Sequence, residues 1–535
     1  MHVYRELLQG RQEQLLQSFD NGSIKPFFLW QMLVLIGLPL LGLMAYGSRW
    51  IRRAVLALIP SVAFDILQHR RFLLGAGGYI SGVIISYWII WSMSLLLFND
   101  PVKNFKRIER RPASIEPINP MIDMDKNGEI RPSAGRGHDA VSSCKSSKSS
   151  VQDCAESPRA QYTNEVVVWQ AYPQGFLHRL NWTFDLLCNM RGAQWNWRGS
   201  GMGPFPASVQ RQLDPGQQDT FCEVDESKIL DTSTRLRSSF WTLLKSYLTL
   251  DLLKVLMVRD PYFLGLVSPV PPPPFPFSYL PDIPIIITIY RQFLTGFGVY
   301  VCLLYATLFN AIIFLGLSVA FPNFARTVTS VPLEAPWLYT DIFGPFCVSV
   351  ADGGLAACWG QWWHQLFRAG FTNAGRWVLS FFPENLAAKR AIRQTVIVFV
   401  AFVLSGFLHA NGSYGQIAET NPRGPLTFFF LQAVGISIES TFKTLIRPAL
   451  LPSTLPRALE RTANCLFAAC WLVFSGTFIA DDFARGGIWL AEPVPVSLLR
   501  GLNIGVKGEG WWCWKEPWFR YFEGKGWWDS GVAVL

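Results

Sequence analysis

The chain has 535 residues, of which 50% are apolar and only 16% are charged, and its mean hydropathy is +0.23. This composition excludes an ordinary soluble enzyme and indicates a membrane protein that crosses the bilayer several times. The net charge of +9 does not indicate a nucleic-acid partner, because the excess of Lys and Arg lies in loops that border hydrophobic runs. The ten cysteines form no CxxC pair and no Cys/His pattern, so neither a zinc site nor a disulfide framework is predicted.

The N-terminal segment, residues 1–98, is predicted to hold transmembrane helices. A run of about twenty apolar residues crosses a hydrocarbon core of about 30 Å, and such runs cover 27–47 and 73–98, with a shorter run over 54–67. No cleavable signal peptide is predicted, because the first twenty residues are polar. The following segment, 99–237, is polar and carries a Ser/Lys-rich patch that buries too little apolar surface to fold. It is predicted to be a cytosolic loop with a disordered insert at 142–150.

Residues 238–510 are predicted to form the transmembrane core of an all-α fold. In the stretch 241–258, Lys245, Asp251 and Lys254 recur at near-helical spacing, which favours a helix lying in the membrane interface. Tryptophan favours the headgroup boundary, so the tail at 511–535, with six tryptophans, is predicted to lie on the membrane surface. Seven to nine crossings are predicted in all, and those of the core come from apolar runs at 283–321 (long enough for an interfacial helix and a span), 339–357, 395–409, 426–445 and 464–480.

Two of the six histidines lie in this hydrophobic half, and the first to consider is His409, which ends the apolar run 396–408. An ionisable side chain at membrane depth is costly unless it faces a cavity or a partner. A neutral imidazole can accept a proton from a hydroxyl, so His409 is a candidate general base for acyl transfer. The alternative is a buried histidine that bonds a neighbouring helix. The small residues around it and Asn411 favour the catalytic interpretation.

The second histidine, His364, lies 45 positions earlier among tryptophans. A helix through this segment places its polar side chains on neighbouring faces, which predicts a polar stripe lining an entrance; an interfacial belt facing water is the alternative. The chain has no HxxxH, HxxHH or HExxH pattern, so a metal centre is not predicted. The side chains of the stripe are Gln361, His364, Gln365 and Arg368. The acidic residues predicted to be structural or interfacial are Asp352, Glu439, Asp481 and Asp482.

Three segments resemble the membrane-bound O-acyltransferase superfamily and, within it, the fungal wax-synthase-like acyltransferases of secondary metabolism. Residues 359–368, WGQWWHQLFR, resemble an FWGRRWHQ-type block of that group. Residues 405–410, SGFLHA, resemble its SGLLHA-type block, and residues 191–197, RGAQWNW, resemble an upstream RGxGWNW-type block. The departures from these blocks affect the substrate expected more than the reaction type, and they lie at Cys358, Gln361, Trp362, Ala193 and Gln194.

The resemblance implies that His409 is the general base and that His364 is the second polar residue, which positions the substrate or the thioester. It also implies an acyl-CoA cosubstrate, no other cofactor, no metal and no covalent acyl-enzyme. Guanidinium groups pair with phosphate in a bidentate way, so two arginines of this region are candidates for binding the phosphates of coenzyme A. These are Arg368 and Arg376, and the residues expected to position the substrates are Gln365, Trp363 and Asn411.

The fungal group favours an O-acetyltransferase that moves an acetyl group from acetyl-CoA to a hydroxyl of a hydrophobic secondary metabolite, a terpenoid or meroterpenoid. Two alternatives stay open: a wax-ester synthase that uses long-chain acyl-CoA and, in another class, a proton-coupled secondary transporter. The sequence shows no paired internal repeat of the kind common in transporters. The expected partners are acyl-CoA, a hydrophobic alcohol and the lipid bilayer, with no nucleic acid; the oligomeric state is not predicted. The family implies residence in the endoplasmic reticulum.

Overall fold

The computed structural model describes residues 3–112, 165–214, 231–279, 283–450, 456–505 and 510–535, and the Ser/Lys-rich patch at 142–150 lies outside them. The described helices up to residue 257 are α1 (Val3–Asp20), α2 (Leu29–Met44), α3 (Arg49–His69), α4 (Tyr79–Met93), α5 (Pro101–Asn104), α6 (Phe176–Cys188), α7 (Ala207–Leu213) and α8 (Thr232–Met257). Those that follow are α9 (Pro284–Asn310), α10 (Gly316–Ala320), α11 (Pro322–Val328), α12 (Phe346–Ala357), α13 (Arg368–Leu379), α14 (Glu384–Ala387), α15 (Arg390–Tyr414), α16 (Arg423–Thr441), α17 (Arg447–Leu450), α18 (Arg457–Gly486) and α19 (Leu498–Gly501). The strands are β1 (Lys25–Phe28), β2 (Arg70–Arg71), β3 (Arg107–Pro112), β4 (Glu165–Gln170), β5 (Phe519–Phe522) and β6 (Gly531–Val534).

Long apolar helices dominate the fold. Many of their large side chains point outward: Phe293 is 65% exposed, Leu466 62% and Phe474 61%. Such a surface is stable against lipid and not against water, which confirms the predicted all-α, multi-pass membrane fold. Within the described residues, five helices are long and apolar enough to cross a membrane, so the predicted seven to nine crossings are not confirmed. These helices are Tyr79–Phe98, Pro284–Ala320, Arg390–Tyr414, Arg423–Ala449 and Arg457–Gly486.

Two predicted segments differ in the structure. The run 283–321 is not divided into an interfacial helix and a span, because α9 and α10 belong to one continuous helix, Pro284–Ala320. The crossing predicted at 339–357 is wrong, because α12 has only 12 residues and is broken at Gly354, whose φ is +69°. A helix rises 1.5 Å per residue, so α12 is too short to span the bilayer.

The stretch 241–258 lies in α8, which is not among the five helices long and apolar enough to cross a membrane, and its place in the membrane interface stays a prediction. Two of its three charged residues, however, are buried in the protein. Asp251 and Lys254 are only 1% and 3% exposed. The Nζ atom of Lys254 donates to three backbone carbonyls in the segment 489–491. The carboxylate of Asp251 accepts from the backbone N–H of Leu499 at 3.0 Å. The hydrogen-bond partners of these charges therefore lie inside the protein.

The C-terminal tail folds back onto the N-terminal segment. Its two strands complete a four-stranded sheet in the order β2-β1-β6-β5, with β6 antiparallel to both neighbours. The backbone carbonyl of Leu535 accepts from Leu74 at 2.9 Å, which ties the tail to the loop before α4. Several tryptophans of the tail stay exposed, among them Trp527 at 77%. Contact of the tail with the membrane surface stays a prediction.

The helix that carries His409, α15, contacts several other helices of the bundle. It packs against α4, α13 and α16, while α16 and α12 both pack against α18. His364 lies in the connection from α12 to α13. The packing therefore brings the two histidine segments to the same part of the molecule.

Candidate active site

His409 is held on one side and open on the other. Its Nδ1 atom lies 2.6 Å from the hydroxyl oxygen of Tyr79. The ring of Phe429 stacks on the imidazole with centroids 4.5 Å apart and an interplanar angle of 16°. The side chain is half-buried, and Nε2 has no hydrogen-bond partner among the described residues. One nitrogen is therefore positioned by the protein, and the other is available to a substrate.

Small residues allow α4 and α15 to approach closely enough for this contact. A Cβ atom at Gly412 would lie 2.9 Å from the ring of Tyr79, and one at Gly82 would collide with the backbone carbonyl of Asn411. The Asn411 amide donates to the hydroxyl of Ser86 at 2.9 Å, which adds a polar link between the same helices. The small residues near His409 thus allow close backbone approach, as the sequence indicated.

Tyr79 is itself held in place. It is 6% exposed, and the ring of Phe483 packs edge-on against it with centroids 4.9 Å apart. The carboxylate of Asp482 interacts electrostatically with Tyr79. This carboxylate accepts from the hydroxyl of Ser413 at 3.0 Å, and its second oxygen is buried without a partner among the described residues. No sequence pattern indicated Tyr79, which lies 330 positions from His409 at the start of an otherwise ordinary apolar run.

The segment of His364 is not the continuous helix predicted from the sequence. A π-helical turn, Cys358–Trp362, ends the helix, and Trp363 is extended. The last carbonyls of a helix lack intrahelical partners, and two polar side chains of the predicted stripe bond them here. The Gln365 amide donates to the carbonyls of Trp359 and Trp363 at 3.2 and 2.6 Å. The Arg368 guanidinium donates to the carbonyl of Gly360 at 2.8 Å.

His364 lies between aromatic rings, with its Nδ1 atom buried and without a hydrogen-bond partner among the described residues. The rings of Phe343, Trp363 and Phe367 surround it at centroid distances of 6.3, 5.4 and 5.7 Å. Burial lowers the pKa of His364 below its ordinary value, so the ring is neutral near pH 7. A buried polar atom without a partner is uncommon in native proteins, and this one lies beside the second histidine, where a substrate can supply the partner.

The two histidines belong to one site. Their imidazoles interact electrostatically, and a continuous set of rings joins them. From His364 the contacts pass to Trp363, then to Trp359 at 5.7 Å, then to Phe429 at 6.0 Å, which stacks on His409. The structure thus brings the two imidazoles together beside α4. The rings that join them, with Phe367, form the aromatic wall of the site.

The other predicted site residues differ in whether they adjoin the two histidines, bond to the protein or lie exposed. Gln365 and Asn411 make their hydrogen bonds to the protein, as described above, whereas Trp363 adjoins His364 directly. Arg368 and Arg376 are exposed on α13 and lie close enough for their charges to repel. Two neighbouring exposed guanidinium groups fit an anionic ligand, and their role in binding coenzyme A stays a prediction.

Glu439 and Asp352 act as structural partners, as the sequence predicted. Glu439 accepts from the backbone N–H groups of Leu355 and Ala356 at 3.1 and 2.9 Å. A Cβ atom at Gly354 would collide with this carboxylate. Glu439 therefore fixes the break in α12 that directs the chain toward His364. Asp352 likewise forms an ion pair with Arg461 at 2.8 Å.

The upstream block at 191–197 is a folded loop that supports the site from outside. Arg191 donates to the backbone carbonyls of Thr340 and Asp341, at the entry to α12. Trp195 is fully buried, and a Cβ atom at Gly192, whose φ is +68°, would lie 2.5 Å from the ring of Trp197. This block connects the polar segment to the chain that leads to His364. It contributes no hydrogen bond to either histidine.

In the part of the chain that the structure describes, no three His, Cys, Asp or Glu side chains lie together so as to hold a metal ion. The chemistry available at the site therefore comes from two imidazoles, one tyrosine hydroxyl and the aromatic wall. This set can accept and return a proton and can donate a hydrogen bond to a developing negative charge.

Residues 339–431, which include both histidines and Phe429, match the sequence profile of the Membrane bound O-acyl transferase family. Over this part, the chain is similar to that family. Among curated proteins, the chain is 30% identical to the acetyltransferase fsoF of Humicola fuscoatra over 164 residues, 29% of this chain and 39% of the relative. It is 31% identical to the acetyltransferase eriL of Hericium erinaceus over 149 residues, 28% of this chain and 37% of the relative.

A third relative matches over a longer stretch. The chain is 24% identical to the O-mevalon transferase macI of Penicillium terrestre over 338 residues, 61% of this chain and 64% of the relative. The chain thus spans between 37% and 64% of the length of these three relatives. No solved structure matches it. The expected resemblance to fungal acyltransferases of secondary metabolism is confirmed.

Proposed function

We propose that the chain is an O-acetyltransferase that moves an acetyl group from acetyl-CoA to a hydroxyl of a hydrophobic secondary metabolite, a terpenoid or meroterpenoid. The observation that carries this proposal is the geometry of His409, whose Nδ1 is held by Tyr79 while Nε2 stays open beside His364. The family match over 339–431 and the acetyltransferase names of two relatives support it. The endoplasmic reticulum is the proposed location.

The reaction begins with proton removal at His409. Nε2 accepts the proton of the acceptor hydroxyl while the hydroxyl oxygen attacks the thioester carbonyl carbon, forming the new C–O bond. The C–S bond then breaks, and the departing thiolate of coenzyme A takes the proton from the imidazolium. The products are an ester and free coenzyme A, and His409 returns to its neutral form. No residue of the chain becomes acylated.

His364 is proposed to stabilise the negative charge that develops on the thioester oxygen. Its ring is neutral because burial lowers its pKa, and a neutral imidazole still carries one N–H donor. A donor aimed at developing charge in a water-poor site commonly contributes about 10²- to 10³-fold in rate. Arg368 and Arg376 are proposed to bind the phosphates of coenzyme A from α13, because both are exposed there.

The size of the acyl group is argued from the aromatic wall. Trp359, Trp363 and Phe367 crowd the surroundings of His364, which favours a short acyl chain over the long chain of a wax ester. The relative with the longest of the three matched stretches is named an O-mevalon transferase. Transfer of a mevalon unit is therefore the second candidate.

The experiment is a donor and acceptor panel with membranes that contain the protein. Release of free thiol is measured with acetyl-, mevalonyl-, octanoyl- and palmitoyl-CoA against terpenoid and fatty alcohols. The variants are His409→Ala and, as the matched control, His178→Ala, which alters an exposed histidine on α6. We expect terpenoid-dependent turnover of acetyl-CoA in the wild type and the control and its loss in His409→Ala. Turnover confined to palmitoyl-CoA and fatty alcohols, or retained in His409→Ala, would contradict the proposal.

A further inference from the structure

The hydrogen bond between Tyr79 and His409 joins the first described spanning helix to the helix of the proposed base. We propose that Tyr79, backed by the charge of Asp482, is a positioning residue: its hydroxyl oxygen holds Nδ1 so that Nε2 faces the substrates. This inference rests on the proposed function. It goes beyond it by assigning a role to a residue of α4, outside the 339–431 segment that matches the family.

The first argument concerns the position of the imidazole proton. A neutral histidine carries one proton, on either Nδ1 or Nε2. Nε2 can accept the proton of an alcohol only when the ring proton is on Nδ1, and that N–H then needs an acceptor. The Tyr79 oxygen lies 2.6 Å from Nδ1 and supplies it. A tyrosine hydroxyl can also donate to a bare Nδ1, so the contact is compatible with this tautomer and does not impose it. Once His409 has taken the proton, both ring nitrogens carry hydrogen, and the Tyr79 oxygen accepts the Nδ1–H of the imidazolium.

The second argument concerns rigidity. Tyr79 sits at the first residue of α4, after Gly78, whose φ is +89°. Its ring lies between Gly412, which has no side chain, and the ring of Phe483. The other partner of the hydrogen bond, the imidazole of His409, is stacked against the ring of Phe429. Because both rings are confined, the hydrogen bond holds the imidazole in one orientation and so sets the direction in which Nε2 points.

The third argument concerns charge. The side chain of Ser413, four residues after His409 and thus on the same face of α15, donates to Asp482. The backbone N–H of Asn421 also donates to this carboxylate, at 2.7 Å. The carboxylate so fixed interacts electrostatically with Tyr79. The hydrogen bond to Ser413 thus holds a negative charge about one helical turn from His409, where it favours the imidazolium that forms during proton transfer.

The test compares two Tyr→Phe variants on the same helix. Tyr79→Phe removes the positioning oxygen and keeps the ring. Tyr87→Phe is the control, since Tyr87 is equally buried and its hydroxyl has no partner among the described residues. The values of kcat and KM for acetyl-CoA are measured in detergent, and folded sites are counted by binding of an unreactive thioether analogue of acetyl-CoA.

We expect kcat of Tyr79→Phe to fall about 10- to 100-fold, the loss typical of a hydrogen bond to a group that becomes charged. KM for acetyl-CoA stays within about two-fold of wild type, because the oxygen acts on the base and not on binding. Tyr87→Phe retains the wild-type kcat. In the His409→Ala background, Tyr79→Phe has no further effect, since the two residues act as a unit.

A Tyr79→Phe variant with wild-type kcat per folded site would overturn the inference, as would a raised KM with unchanged kcat. If Tyr79→Phe does not accumulate as folded protein, Asp482→Asn tests the same arrangement. Unchanged kcat in Asp482→Asn overturns the inference, and a lower kcat at constant KM supports it. The underlying function fails differently. An active His409→Ala enzyme would refute the proposed base, whereas an inactive His409→Ala with a fully active Tyr79→Phe refutes the positioning role alone.

Discussion

Two buried polar regions of this molecule differ in how completely their groups are bonded. Near the end of α8, Arg500 forms an ion pair with Glu492 at 2.8 Å, and Lys254 donates to three carbonyls. At the histidine site, Nδ1 of His364 and Nε2 of His409 have no hydrogen-bond partner among the described residues. Breaking a buried charge pair is strongly destabilising, whereas an open polar atom at a site can meet a substrate. The two regions are therefore expected to respond differently to substitution.

The largest expected effect lies at the open region. His409→Ala lowers kcat by about 10²- to 10⁴-fold, because the general base is removed. The unfolding temperature of the purified protein stays close to wild type, since the residue makes one hydrogen bond and two ring contacts, to Phe429 and Tyr79. Steady-state kinetics and a thermal melt on the same sample check both values. A variant that melts early would assign His409 to the scaffold and remove the contrast between the regions.

The paired region is expected to respond in the opposite way. Arg500→Met leaves the Glu492 carboxylate buried without its guanidinium partner, and breaking a buried pair costs about 3–5 kcal/mol of unfolding free energy. The unfolding temperature should fall while kcat per folded molecule stays near wild type. Thermal unfolding in detergent, with turnover normalised to folded protein, measures both. Loss of turnover without loss of stability would show that this network belongs to the active site.

His364→Leu sharpens the comparison within the site. The change keeps an apolar side chain among the surrounding rings and removes the donor proposed to meet the thioester oxygen. We expect kcat to fall about 10²- to 10³-fold with little change in stability. The kcat and the melting temperature of His364→Leu, measured beside those of His178→Ala, test this. A fall in stability alone would indicate a packing role.

The sequence predicted the membrane class, the central helices and the two histidines, because hydrophobic runs and ionisable residues within them are local signals. It failed for α12, whose length depends on Gly354 meeting Glu439, a residue on another helix. It also could not show that Asp251 and Lys254 are buried, because their partners come from residues 489–499. Tyr79 could not be identified from the sequence for the same reason, because its proposed role depends on a hydrogen bond to His409, 330 positions away.

The smallest expected effect concerns acyl-chain length. Trp363→Ala removes a ring that adjoins His364 and opens space beside the proposed position of the thioester. A pocket discriminates one methylene by about 1–3 kcal/mol, so turnover of octanoyl-CoA relative to acetyl-CoA should rise about tenfold or more. The ratio of the two kcat/KM values is the measurement. An unchanged ratio would place the limit on chain length elsewhere in the aromatic wall.

The most direct test of the central claim follows the acyl group itself. Membranes containing the wild-type protein or His409→Ala are incubated with deuterium-labelled acetyl-CoA and the terpenoid alcohol panel, and products are identified by mass spectrometry. The account predicts a terpenoid ester that carries the labelled acetyl group in the wild type, and none in His409→Ala. Consumption of the thioester with no labelled ester for any acceptor, or the same ester formed by both proteins, would contradict it.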